Sequence, residues 1–229
     1  GYGKATLRIL IFSLSLVCSS VIIAGDDPFE TVNRRIHNFN EIVDLKLAKP
    51  IGKAYTKSVP AFLRISVGRF FANLADIGDV VNNAFQAKPE LAMSDLARVV
   101  VNTSIGLGGL MDVATRMGLV DHDEDFSQTL HVWGVPRGPY LVIPGMGPND
   151  VRGVFSGLVN RTLNPLRYCN PVSHRNSLGF ARLVSLRADL LKVDDVAFGD
   201  NYIFYRDAYL QRREFLANDG ALEDIFGDE

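Results

Sequence analysis

After Pro60 the chain carries its longest helical pattern. Leu63, Val67, Phe70, Leu74, Ile77, Val81 and Phe85 recur at three and four residues, and Phe62, Phe71 and Val80 widen the stripe. Arg64, Arg69, Asn73, Asp76, Asn82 and Asn83 lie opposite. So broad an apolar face predicts either the central helix of a bundle, which the pattern alone favours, or a helix lying in a membrane interface. An earlier pattern, Ile36, Phe39 and Val43, predicts a helix capped by Thr31 or Asn33 and stopped before Pro50. Its other face holds Arg34, Arg35, His37, Asn38, Asn40 and Glu41, the composition of a solvated face. Further helices are expected from Pro89 through Leu91, Leu96 and Val99 to Val101, and from a cap at Asn149 and Asp150 to Asn164 and Pro165. Two more are expected from Ser173 to Leu191 and from about Asn201 to Ala217.

Glu124 to Pro148 has no helical period. Pro136, Pro139, Pro144 and Pro148 remove backbone donors, and Gly134, Gly138, Gly145 and Gly147 permit positive φ, so the stretch reads as loop. Within it, Leu130 to Val135 and Tyr140 to Ile143 are short β-prone runs that predict a tight hairpin or an irregular reversal at Pro136 to Pro139. An apolar loop of this length rests either on a core or on lipid. The glycines of NTSIGLGGLMDVATRMG (Gly106, Gly108, Gly109) predict a helix break with close backbone packing.

Composition narrows the function classes. The formal charge is −2, and removing a leader containing Lys4 and Arg8 leaves 22 bases against 26 acids, which gives no electrostatic case for nucleic acid. That leader, residues 1–24, has a basic start and an apolar run ending at small residues, the layout of a secretory signal peptide. Cys18 inside LSLVC also fits a lipoprotein leader, although Val17 is larger than the usual residue before an acylated Cys. Cys169 then stands without an intrachain partner, and residues 221–229 form an acidic tail. Gly108 lacks the third glycine of a phosphate loop, and Asp121, Asp123 and Asp125 lack the glycine and glutamate of a calcium loop. The four histidines have no metal-ligand spacing, and no catalytic motif emerges beyond a bare pairing of His131 with Ser127.

Several blocks in order, DPFETVNRRIHNFN, NNAFQAKP, VNTSIGLGGLMDVA, EDFSQTLHVWGVPRGPYLVIPGMGP and DNYIFYRDAYLQRREFLANDG, resemble the MlaA (VacJ) family of Gram-negative outer-membrane lipoproteins. The resemblance spans nearly everything from Asp27 to Gly220. It implies a mainly α fold over 25–220, a ring-like disc of amphipathic helices with a central channel and a Gly/Pro-rich apolar hairpin loop, held in the periplasmic leaflet of the outer membrane. The implied role is removal of mislocalised phospholipid from the outer leaflet, which keeps that membrane asymmetric. The implied partners are trimeric porins and a soluble MlaC-like periplasmic carrier, with no cofactor, no metal and no enzymatic step. By matching motif, Asn38, Phe39 and Asn40 fall on the membrane-facing first helix. Gly134, Arg137, Gly138 and Tyr140 fall on the loop beside the channel, with the glycines as hinges; the loop's own apolar side, Leu141 to Ile143, leaves Arg137 at its tip to meet a phosphate. Cys18 falls at the lipidation position. The competing classes are a periplasmic lipid hydrolase and a purely structural porin-associated protein.

Overall fold

The computed structural model describes residues 27–192, 194 and 199–220. The expected leader with Cys18 and the 221–229 tail lie outside the described residues. In order, the elements are α1 (Glu30–Val43), a π turn (Asp44–Ala48), α2 (Lys49–Ser58), α3 (Ala61–Phe85), α4 (Pro89–Ser104) and α5 (Phe126–Val132). The hairpin β1 (Tyr140–Ile143) and β2 (Gly147–Asp150) follows, then α6 (Val151–Leu163), α7 (Val172–Leu190) and α8 (Asn201–Ala217). The mainly helical expectation holds, as do the bounds predicted for α8 and the Asp150 cap of α6, whose carboxylate accepts the Gly153 N–H at 2.6 Å.

Burial is inverted. Among the described residues nineteen polar or charged side chains are buried against ten apolar ones, so the interior is polar. On α3 the buried positions are Asn73, Asp76, Asp79, Asn82 and Asn83 together with Phe71, while Phe62 is 67% exposed and Leu63, Ile65 and Phe85 are also exposed. The bundle expectation for this helix is therefore corrected. The stripe identified an amphipathic helix, but its polar face is the one that meets protein. α4 answers with Asp95, Arg98 and Asn102, one turn apart on the facing side. Asn83 donates to Asp95 at 2.7 Å, Arg98 lies 3.6 Å from Asp76, and Asn73 donates to the Thr103 hydroxyl at 3.0 Å. Close approach at the end of α4 depends on glycine, since a Cβ on Gly109 would stand 2.7 Å from the Asn73 side chain.

Three local expectations change. α1 starts at Glu30 with Phe29 as its cap residue and no side-chain cap, so neither Thr31 nor Asn33 serves there. The helix does not stop before Pro50. A π turn, closed by the Lys49 N–H on the Asp44 carbonyl, leads straight into α2, where Pro50 occupies the first turn and needs no donor. Finally, Leu130 is helical and not a strand. The hairpin pairs Tyr140 with Asp150 and Ile143 with Gly147, antiparallel, around Pro144, Gly145 and Met146. Gly145 has φ +73 and the Met146 N–H reaches the Ile143 carbonyl, the Pro–Gly pairing of a type II turn.

The hairpin is held by α1 and α8. Asn33, 2% exposed, donates to the Tyr140 carbonyl at 3.1 Å and accepts the Val142 N–H at 2.9 Å. Asn40, two turns on, donates to the Ile143 carbonyl at 2.9 Å and accepts the Gly145 N–H at 2.7 Å. Two amides thus act as a third strand along β1, and the face expected to be solvated is a clamp. Behind it Tyr140, Val142 and Tyr202 form the apolar cluster, with Ile36, Tyr209 and Leu210 packed against it.

Candidate functional site: a polar cavity inside a ring of apolar surface

α3, the 123–125 segment, α6 and Arg182 in the middle of α7 line a cavity of about 300 Å³. Leu74, Ala75 and Leu163 give it apolar wall, and Asp79, Asn82, Asn160, Arg161 and Arg182 give it polar wall. Gly78 and Gly157 also line it, and a Cβ on either would meet nothing within 4 Å, so these two helices leave the cavity open by omitting side chains. Met146, at the hairpin turn and 64% exposed, closes one side.

The cavity's carboxylates are neutralised. Burial, with lesser repulsion from Asp76 and Asp123, raises the Asp79 carboxyl to about 9 despite the N–H it receives from Glu124, so Asp79 is a neutral donor at physiological pH. Burial likewise raises Glu124, which takes the Gln86 amide at 2.7 Å and faces Lys88 at 3.6 Å. Asp123 pairs with Arg212 at 2.8 Å, and Asp125 is gripped by both terminal nitrogens of Arg213 while capping α5 through the Gln128 N–H. The three aspartates that imitate a calcium loop are therefore three ion-pair partners, Asp121 lying 3.4 Å from Arg98, and Asp125 is a helix cap as well.

The residues expected on the gating loop lie beside this cavity's supports, and among the described residues none lines it. Gly134 has φ +81 and ends α5 in a Schellman cap, with its own N–H on the His131 carbonyl and the Val135 N–H on that of Leu130. Gly138 has φ +74, and a Cβ there would stand 3.0 Å from the Val151 Cβ. The Arg137 carbonyl accepts the Arg152 N–H at 3.0 Å, tying the loop to the start of α6. Tyr140 is 2% exposed in the apolar cluster, its rings packed against Tyr202 and Tyr209, and burial raises its hydroxyl to about 12. On α1, Asn38 and Phe39 face outward, Phe39 53% exposed, while Asn40 grips the hairpin. Ser127 and His131 do not bond to each other. Arg152 stands between them, donating to the Ser127 hydroxyl at 3.2 Å and lying 3.2 Å from the His131 ring, and Ser127 is wholly buried. Arg152 and burial depress the His131 pKa, burial more.

Sequence reading missed Gly78, Gly157, Asn160 and Arg182. The available signal was that the polar positions of α3, read together, already recur every three or four residues.

Outside the cavity the surface is apolar to an unusual degree. Phe155, Leu158, Phe180, Leu183, Met93 and Leu107 are all more than half exposed, far beyond the scattered apolar residues of a water-soluble surface. Among the described residues no helix is long and apolar enough to cross a membrane. A polar cavity wrapped by short amphipathic helices with apolar outer faces is the arrangement of a ring-like disc.

Comparison with known proteins agrees. The MlaA lipoprotein intermembrane phospholipid transport system components of Shigella flexneri and Escherichia coli (strain K12) are 32% and 31% identical over 86% of this chain and 80% of theirs. An uncharacterised protein of Rickettsia prowazekii (strain Madrid E) is 34% identical over 62% of this chain, and the match spans a little over half, 57%, of that relative's length. A solved structure described as the structural basis for maintenance of bacterial outer membrane lipid asymmetry superimposes with a TM-score of 0.74 at 30% identity, covering 84% of this chain and 99% of that one. The family model described as MlaA lipoprotein matches residues 25–216, and the chain belongs to that family.

Proposed function

We propose that this chain is the outer-membrane component of an intermembrane phospholipid transport system. In this reading it takes mislocalised phospholipid from the outer leaflet and passes it through the cavity between α3 and α6. The single observation that carries this reading is the inversion of burial, polar inside and apolar outside. A phospholipid headgroup crossing bare hydrocarbon pays several kcal/mol for each unsatisfied polar group, roughly, and a polar passage removes that cost while tails stay in the apolar surround. The relatives' roles in phospholipid transport and lipid asymmetry support the same reading. The protein sits in the periplasmic leaflet, with Asn38 and Phe39 turned to the membrane on α1. Handover to a periplasmic carrier of the MlaC kind and a seat on trimeric porins complete the route by family resemblance. Met146 lines the cavity at the hairpin tip, and in this reading Gly134 and Gly138, with φ +81 and +74, are the hinges of the loop that leads into the hairpin.

A plug tests the passage. Gly78→Leu and Gly157→Leu put a side chain into open space on helices where glycine is unfavourable by about 0.5–1 kcal/mol, so folding is retained or improved. Outer-leaflet phospholipid measured in cells should rise to the level of a deletion strain while the amount of the plugged protein stays normal. Unchanged outer-leaflet lipid in a strain carrying both leucines contradicts the passage.

A further inference from the structure

Next to the passage lies a second cavity, of about 580 Å³, whose lining combines basic and apolar side chains. Arg161, Arg167, Arg175 and Arg182 supply four guanidinium groups, and Leu166 and Leu183 supply apolar wall. It adjoins the passage directly, since Arg161, Asn164 and Arg182 line both. Gly179 leaves the space open, as a Cβ there would meet nothing within 4 Å.

What sets this cluster apart is its lack of counter-charge. In the third cavity, beside α1 and α8, Arg187 holds Asp44 through two bonds of 2.6 and 2.8 Å and holds Asp194 at 2.9 Å, while Lys49 also pairs with Asp194. In the passage the carboxylates are protonated or paired, as described above. Among the described residues none of Arg161, Arg167, Arg175 and Arg182 makes an ion pair. Four unpaired guanidiniums at the mouth of a lipid passage leave a positive field that an anionic phosphate, with several acceptor oxygens, satisfies. Leu183, 67% exposed, and Leu186, 51% exposed, continue the apolar outer face up to the same arginines, so a lipid can keep its tails in that face while its phosphate reaches them.

We infer that this arginine cavity binds the phosphate of phospholipid headgroups and favours those with net negative charge, such as phosphatidylglycerol, over zwitterionic phosphatidylethanolamine. An ethanolamine ammonium brings its own positive charge to a site that has no free carboxylate to receive it, whereas a glycerol headgroup does not. The inference rests on the transport reading above and assigns it a substrate preference. One additional net negative charge near an unpaired arginine is worth about fivefold in binding.

The full chain, purified in a neutral detergent and offered equimolar phosphatidylglycerol and phosphatidylethanolamine, is assayed for retained lipid by mass spectrometry. Phosphatidylglycerol should be retained about fivefold over phosphatidylethanolamine or more. Arg161→Gln with Arg182→Gln should bring that ratio near one, and lysine at both positions should restore it, because charge and not shape selects. Equal retention by the unaltered chain, or a preference that survives both glutamines, overturns the inference. Displacement of phosphatidylglycerol by an equal concentration of inorganic phosphate assigns the arginines to free phosphate and also overturns it. Equal lipid retention together with loss of periplasmic-carrier binding in the glutamine variant makes them a protein-docking patch instead. Retention of neither lipid is a different failure, that of the transport reading itself.

Discussion

Where the hairpin meets α1 and α8, Tyr140, Val142 and Tyr202 pack as an apolar cluster, whereas α3, α4 and α5 meet through asparagine, aspartate, glutamine and threonine. Each fully buried apolar side chain of the first region contributes about 1.5–3 kcal/mol. Each hydrogen bond of the second contributes a net of about 1 kcal/mol, because water competes for both partners. The hairpin region therefore holds itself together as an ordinary protein does. The α3–α4–α5 region sets Phe71, Ala92, Phe126 and Leu130 among a larger number of buried polar partners, and its exposed apolar residues stabilise it only when something apolar covers them. In the proposed reading that cover is lipid.

The largest effect is expected where the first region depends on a polar group. Asn33→Leu removes both bonds to β1 and leaves the Tyr140 carbonyl and Val142 N–H buried without partners, at a cost of about 2–4 kcal/mol. Thermal unfolding in detergent should fall accordingly, and limited proteolysis should cut within 140–150. Asn40→Leu, at the more exposed end of the same clamp, should cost less.

Next come the two loop glycines, which the structure separates. Gly138→Val meets both a positive φ and the Val151 side chain, and should cost about 2 kcal/mol or more. Gly134→Ala meets only the positive φ, and should cost about 1 kcal/mol. Denaturation midpoints of the two variants measure the difference, and equal midpoints would show that Val151 moves aside freely.

The smallest effect sharpens the polar side. Asp79 has a folded pKa of about 9 against an ordinary value of 3.8, so between those limits the folded chain keeps a proton that the unfolded chain has lost. Stability therefore falls as pH rises through this window. Asp79→Asn keeps an oxygen for the Glu124 N–H and removes the slope, so the variant should gain on the wild type steadily from about pH 5 to about pH 8 in unfolding experiments. Parallel pH curves for the two chains would mean that Asp79 is ionised in the folded state.

Much of the helical framework was legible. The cap at Asp150, the breaker at Pro165 and the start near Asn201 mark local chemistry that tertiary contacts do not override. The amphipathicity of α3 was equally visible, but its direction was not, because a stripe of Leu, Val and Phe says which residues share a face and nothing about whether protein, water or lipid lies against it. α5 was hidden by the glycines and prolines downstream, although Asp125 with Gln128 three residues on is a readable start and Gly134 a readable stop. The true hairpin turn, Pro144–Gly145, carried a clearer turn signature than Pro136 to Pro139, whose prolines and glycine serve instead to tie α5 to the hairpin's base. The polar clamp of Asn33 and Asn40 was unreadable because nothing local to α1 announces that a strand more than a hundred residues away needs partners.

α6 carries both sides of the account within one turn, and thiol accessibility in the membrane reads them directly. Leu158, 59% exposed, is on the apolar outer face, and Asn160 lines the passage. In membranes containing the Cys169→Ser chain, the Asn160→Cys variant should react quickly with a membrane-impermeant aqueous maleimide and the Leu158→Cys variant slowly, with the difference lost after unfolding in detergent and denaturant. Rapid labelling at 158 with protection at 160 would mean that the apolar face meets water and the polar face is sealed, and would contradict the inverted build on which the passage depends.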